Sequence, residues 1–384
     1  MNYNPKHKSA RPWSNKLLLY ILFVLLALGA LFLLSAAVIP ARGADDLVLR
    51  AEKPLLTPKE FYIAGVVDER ADKKAVAYLV PVPTAGGSPA AARPVDLQGG
   101  GLAAVRQFIG QSLPQNTKLR PVIVRLKELK VTEKPGAAGR VAGTVAVVMA
   151  FELQREEETV PLLEYKGGAR YERPASKNEV TAPALRQSLE EALRYLNTWM
   201  DREAKTNERL AKGIKVSFTD YTGSADQDTV FYSPKRPLSW NDFKANPTGA
   251  SRFSATVFPS FAYEGDSEVK DGIIHLNLTM KVYVLKSSSW VKEGAKDPYG
   301  LNHEQRHFDI VKLVAERFKQ KIKPDDLSLA DYNSNIQYHF IESYREMNQL
   351  QDQYDGETQH GINKVAQEQW NQRLEKELKE FGIK

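Results

Sequence analysis

Residues 303–307 read His-Glu-Gln-Arg-His. On a helix, His303 and His307 stand one turn apart on the same face, so both imidazoles can reach one zinc ion. Glu304 is then offset toward the open position of the metal, where a general base is needed. The chemistry would be metal-assisted hydrolysis. The ion brings a water toward neutral pKa and polarises a carbonyl, while Glu304 accepts the proton of the water and returns it to the leaving amine. The competing reading is a pair of core histidines with ordinary hydrogen bonds.

Such a site needs a third protein ligand and an open position. The chain has no cysteine, which excludes disulfides, thiolate metal sites and a cysteine nucleophile. Any ligand must therefore be His, Asp or Glu. His360 follows His307 by 53 residues and precedes Gly361, whose backbone freedom suits an unusual loop conformation. Asp355 and Glu357 share that loop, and His339 and Glu342 lie on the intervening helix. Glu316 is nearly opposite His303 on the helical wheel, and His275 falls on the polar face of a strand. His360 is the favoured third ligand.

The elements that must position these residues are legible as patterns. Pro298 and Pro324 bound a helix on which His303, His307, Ile310, Val311, Val314 and Phe318 share a face. Ile273 to Leu285 alternates cleanly between apolar and polar residues and predicts a half-buried strand. That strand precedes the helix, so it is a candidate edge for pairing with an extended substrate, beside the plainer role of sheet packing. Two further helices are predicted, roughly over Asp331–Gln351 and Asn363–Glu380, with Tyr354–Gly361 as the loop between them. Ahead of this half, residues 45–212 read as a separate α+β domain. Strands are expected at 61–67, 75–82, 121–131, 140–153 and 162–171, and helices at 102–113 and 182–210.

Leu17 to Ile39 is uncharged and apolar. At about 1.5 Å per residue it is long enough to cross a hydrocarbon core of about 30 Å. Lys6, Lys8, Arg11 and Lys16 precede it without an acid and supply four of the six net positive charges. This basic flank predicts a cytoplasmic N-terminus, with residues 45–384 extracytoplasmic. An uncleaved anchor is favoured over a cleaved signal peptide. Since the charge excess is mostly local, nucleic-acid binding is not indicated.

Four segments together resemble a bacterial family: Leu238-Ser239-Trp240-Asn241-Asp242-Phe243, Ser289-Trp290-Val291, Leu301–Ile310 around the HExxH, and Tyr354-Asp355-Gly356-Glu357-Thr358-Gln359-His360-Gly361. The family is described as predicted secreted or periplasmic zinc-dependent proteases (DUF922). The resemblance covers roughly residues 215–384. It implies zinc on His303 and His307, Glu304 as base, and His360 as the third ligand. With zinc there, Tyr354 is a candidate oxyanion donor by its proximity to His360. Asp355 or Asp309 would orient a ligand imidazole from behind.

The expected fold is α+β: a tail and transmembrane helix over residues 1–44, the domain 45–212, and a zincin-like domain 213–384 with an antiparallel sheet followed by three helices. The expected function is a membrane-anchored zinc metallopeptidase acting on a polypeptide or a cell-wall peptide. The alternative is a non-enzymatic envelope module with a structural or vestigial zinc site.

Overall fold

The computed structural model describes residues 47–83, 91–155, 158–223, 227–247 and 251–383. One hydrophobic core ends at Leu210 and the next begins at Ala211, so the two halves bury separate interiors.

The first half is a six-stranded sheet of β1 (Phe61–Asp68), β2 (Ala77–Leu79), β3 (Arg93–Val95), β4 (Arg120–Pro135), β5 (Arg140–Gln154) and β6 (Thr159–Pro174). The order is β3-β2-β4-β5-β6, with β1 parallel to the first part of β4. Strand alternation decides which face is covered. On β5, Val145, Val147, Met149 and Phe151 are buried while the residues between them are less so. α1 (Gly101–Ser112) packs on β1, and α2 (Thr181–Glu203) packs on β5 and β6. Leu185, Leu189, Leu193 and Leu196 recur at helical spacing and are fully buried. The long helix expected over 182–210 stops at Glu203, and a separate 3-10 turn spans Glu208–Leu210.

One ion pair in this half is shut away from water. The Arg173 and Glu133 side chains are 1% and 0% exposed. Arg173 donates from Nε (2.8 Å) and Nη2 (2.6 Å) to the two Glu133 oxygens, and from Nη2 to Val80 O. Glu133 also accepts from the Val80 N–H and the Tyr171 hydroxyl. The cluster ties the chain beyond β2 to β4 and β6. The Tyr171 ring crosses Gly143, where a Cβ would fall 2.2 Å from Cζ, so that strand position requires glycine.

The second half has β10 (Pro259–Lys270), β11 (Ile273–Leu285), β7 (Ile214–Asp220) and β8 (Thr229–Phe231) in one sheet. β11 is antiparallel to β10 and β8 and parallel to β7. The sheet is thus mixed rather than antiparallel. Since β11 is hydrogen-bonded along both edges, it has no edge to offer a substrate. A separate two-stranded sheet pairs β9 (Ala255–Thr256) with β12 (Trp290–Val291).

Three helices follow: α3 (Pro298–Lys321), α4 (Tyr332–Thr358) and α5 (Lys364–Glu380). α3 begins with Asp297 capping Gly300 N–H and Pro298 in the first turn. It is apolar on two sides. Phe308, Val311, Val314 and Phe318 join the core that contains the sheet, while Ile310 and Leu313 join Tyr354, Trp370, Leu374 and Leu378 of α4 and α5. The halves meet at the linker. Arg120 donates to Leu210 O and Ala204 O, and Gly272 N–H donates to Lys205 O.

The membrane-spanning helix expected over residues 17–39 lies outside the described residues. Among the described residues, no helix is long and apolar enough to cross a membrane. The expected architecture is corrected accordingly, to an α+β chain with five helices and no transmembrane element in its described part. The single-pass placement, with residues 45–384 outside the cytoplasm, rested on that helix and is not supported.

Removing either partner of the Glu133–Arg173 pair strands a buried charge, which costs about 3–5 kcal/mol. Glu133→Ala or Arg173→Ala should lower the urea midpoint correspondingly at neutral pH. Burial pushes the Glu133 carboxyl up, but bonds from Arg173, Tyr171 and Val80 outweigh it and hold it below its ordinary value. The stabilisation is therefore complete above the unfolded carboxyl pKa of about 4.3 and lost as pH falls through the folded value. Urea midpoints measured from neutral to acid pH would give an unchanged slope in the variants if this pair contributed nothing.

Candidate metal centre

The HExxH turn occupies the first part of α3, beside an open cleft of about 1000 Å³. His303, Glu304 and His307 line this cleft. Asp355 lines it from the last turn of α4. Its Oδ1 lies 3.2 Å from His303 Nε2 and 3.1 Å from His307 Nε2. One ligand atom from each of these three residues falls within 4.8 Å of the others.

The surroundings set the tautomers. His303 Nδ1 meets Gln367 Oε1 at 2.9 Å, and His307 Nδ1 meets Gln351 Oε1. The amide orientations are fixed by their other ends. Gln351 Nε2 donates to His307 O, and Gln367 Nε2 donates to Asn371 Oδ1, which Arg306 Nε marks as an acceptor. Each Nδ1 must therefore carry its hydrogen, so in the neutral rings both Nε2 lone pairs point at Asp355. Asp355 Oδ1 is itself buried and accepts no hydrogen bond of normal geometry. Three lone pairs facing one another are repulsive unless protons or a cation lie between them. A carboxylate oxygen 3.1–3.2 Å from two imidazole nitrogens, all within 4.8 Å of one another, offers donor types that zinc takes.

Burial pushes the Asp355 carboxyl up, but His303 and His307 outweigh it and hold Asp355 well below the usual carboxylate range. Burial pushes His307 down, and Asp355 and Glu304 outweigh it, so His307 sits above an ordinary histidine. Burial dominates at Glu304 and raises its carboxyl against the pull of His307, His303 and the Val257 N–H. That N–H donates to Glu304 Oε2 at 2.9 Å and fixes the carboxylate against the opposite wall of the cleft.

Of the residues singled out from sequence, His303, Glu304 and His307 come together with Asp355. His360 stands at the edge of the group. It lies in a turn with left-handed backbone, its side chain is 42% exposed, and its Nδ1 is 3.3 Å from Asp355 Oδ2. Its ring packs on Phe253 at 4.5 Å. Tyr354 is fully buried beneath the histidines. Its hydroxyl accepts from Gln367 Nε2 and donates to the His303 carbonyl, so it does not reach the cleft. Asp309 is buried and bonds to Tyr232, Gln305 and Arg306, behind the site. His339, His275, Glu316 and Glu342 are not among the residues that line the cleft. Gln351 and Gln367, which orient the histidines, were not singled out from sequence. A glutamine on a polar helix face carries no spacing signal of its own.

No family model matches the chain. No curated protein matches it either. A solved structure of a Xanthomonas campestris protein of family model DUF330 is 12% identical, covering 42% of this chain and 97% of its own, with a TM-score of 0.24. That value carries no argument about fold or activity.

The Tyr354 hydroxyl is enclosed and shared between Gln367 and a main-chain carbonyl. Tyr354→Phe should therefore cost about 1–3 kcal/mol of stability, as expected when buried polar groups lose a partner. A denaturant titration of the variant checks this, and an unchanged midpoint would show that the hydroxyl is not holding Gln367.

Proposed function

We propose that the protein is a zinc-dependent hydrolase of amide bonds, with His303, His307 and Asp355 as the metal-holding residues and Glu304 as the general base. The reading rests chiefly on Asp355 Oδ1, a buried acceptor without a donor, held between two Nε2 lone pairs. The segments that resemble the DUF922 family support zinc on His303 and His307 with Glu304 as base; for the third ligand they imply His360, in whose place this reading puts Asp355.

Zinc at this position would polarise a carbonyl and bring a water to near-neutral pKa. Glu304 then accepts a proton from the attacking water and delivers it to the leaving nitrogen. Its burial favours this shuttle, because a carboxyl with raised pKa holds and releases a proton closer to neutral pH. Gln351 and Gln367 keep the histidine rings in one orientation. His360 acts on Asp355 Oδ2, leaving Oδ1 for the metal.

Substrate binding is assigned to β9, in place of the strand at 273–285. β12 occupies one side of β9, where Lys292 N–H donates to Ser254 O. By strand alternation, the main-chain groups of Ala255 face the other side, as the Val257 N–H does toward Glu304. An extended chain laid there would bring its amide past Glu304 by strand addition. The cleft on this side favours a catalytic over a closed structural site, since three metal-ligating groups converge among the described residues.

Two measurements test this. Zinc should bind at one ion per chain, and chelator competition should rank the variants. Asp355→Ala loses more than about 100-fold in affinity, while Gln351→Leu, Gln367→Leu and His360→Ala lose about 10–100-fold or less. Equal losses for Asp355→Ala and His360→Ala would refute the assigned ligand set. Glu304→Gln should retain zinc and lose about 100-fold or more of peptide hydrolysis. Full activity in that variant would remove Glu304 from the mechanism.

A further inference from the structure

We infer that the cleft selects substrates bearing a carboxylate, and that Arg252 reads it; this rests on the hydrolase reading above. Arg252 is the one lysine or arginine that lines the cleft among the described residues. The carboxylates there are already engaged, and the histidines face Asp355. Asp297 caps α3, Glu304 accepts the Val257 N–H, and Asp355 lies between the histidines. The Arg252 side chain has no carboxylate partner among the described residues, and its guanidinium lies over the Phe253 ring at 5.1 Å. A planar guanidinium laid on an aromatic face keeps its in-plane N–H groups available for a carboxylate, which matches them two to two.

The position is built rather than incidental. Lys292 Nζ donates to Ser251 O at 2.7 Å, and Lys292 N–H donates to Ser254 O, so the main chain is tied on both sides of Arg252. Phe253 packs in turn on His360, whose Nδ1 reaches Asp355. Arg252 is thereby connected to the metal-holding group through two packed rings. A chain lying along β9 would run past this guanidinium on its way to Glu304. The carboxylate could be an acidic side chain or the free end of a peptide, since both offer the same pair of oxygens.

The test uses the zinc-loaded full chain carrying Glu304→Gln, so that bound peptide persists. Fluorescein-labelled decapeptides of glycine and alanine are titrated by anisotropy in three forms: one internal Glu with an amidated end, the matching Gln peptide, and the Gln peptide with a free C-terminal carboxylate. At least one carboxylate form should bind about tenfold tighter than the amidated Gln peptide, as expected for one charge-assisted pair. Which form gains identifies the source. Adding Arg252→Ala should erase the difference, and Arg252→Lys should restore part of it. Equal binding of all three peptides, or a preference that survives Arg252→Ala, overturns the inference. If the preference depends on Arg252 while the parent chain hydrolyses no peptide, the hydrolase reading fails and the carboxylate site stands.

Discussion

A single carboxylate oxygen, Asp355 Oδ1, enclosed between the Nε2 atoms of His303 and His307, is the constraint around which the second half is arranged. An anion shared by two imidazoles in a partly buried site tolerates little displacement, because a shift of an ångström would break one contact. The three side chains come from the first half of α3 and the last turn of α4, so the relative register of these helices must be fixed. Packing α3 on both sides achieves this. Phe308, Val311 and Phe318 key it to the sheet, and Ile310 and Leu313 key it to Tyr354, Trp370 and Leu374. Close-packed interiors have few alternative arrangements, which makes the placement of these three side chains a property of the core.

A second set of polar contacts converts that packing into ring orientation. Gln351 lies on α4 one turn before Asp355, and Gln367 lies on α5, so each histidine is held by a different helix. Tyr354 links Gln367 to the main chain of His303, and its ring stacks on His303 at 4.8 Å. Arg306, on the same turn as the histidines, bonds to Asp309, Asn371 and Glu375, adding a charged tie between α3 and α5. The buried polar residues around the site therefore have partners, and Asp355 Oδ1 stands out as an acceptor without a donor.

How much of this was legible in the sequence depends on what each residue's signal was. β4, β5 and β11 alternate over many residues with one face covered, and their bounds are nearly those of the pattern. The Pro-bounded helix that carries the HExxH was equally plain. The end of α4 was not. Gln349 to Gln353 is almost entirely polar and Gly356 follows, which reads as a loop, yet the helix continues to Thr358. It continues because Met347, Tyr354 and Thr358 recur at helical spacing and are buried, Met347 in the sheet core and Tyr354 among Ile310, Leu313 and Trp370. That tertiary contact is not visible locally. Extending the helix turns Asp355 toward the histidines and leaves His360 beyond the end, 3.3 Å from the outer carboxylate oxygen. The order of the N-terminal sheet was also out of reach, since β1 and β2 both pair with β4 across long separations.

The way α4 stops explains why His360 is where it is. Gln359, His360 and Gly361 are consecutive left-handed residues, with φ of 51°, 54° and 81°. For the first two this conformation costs about 1–2 kcal/mol each, whereas glycine adopts it freely. The cost is offset by closing the helix. His360 N–H donates to Asp355 O, and Gln359 N–H turns to the carbonyls of the last turn. Glycine at the third position takes its φ of 81° without that cost, and a Cβ there would only touch the His303 ring, 3.4 Å from Cγ and Nδ1. Asp355 is thus held twice by His360, through its main-chain carbonyl and through Oδ2. A straight continuation of α4 would carry His360 away and free that carboxylate to rotate. The strained turn keeps the Oδ1 lone pair aimed between the two histidines.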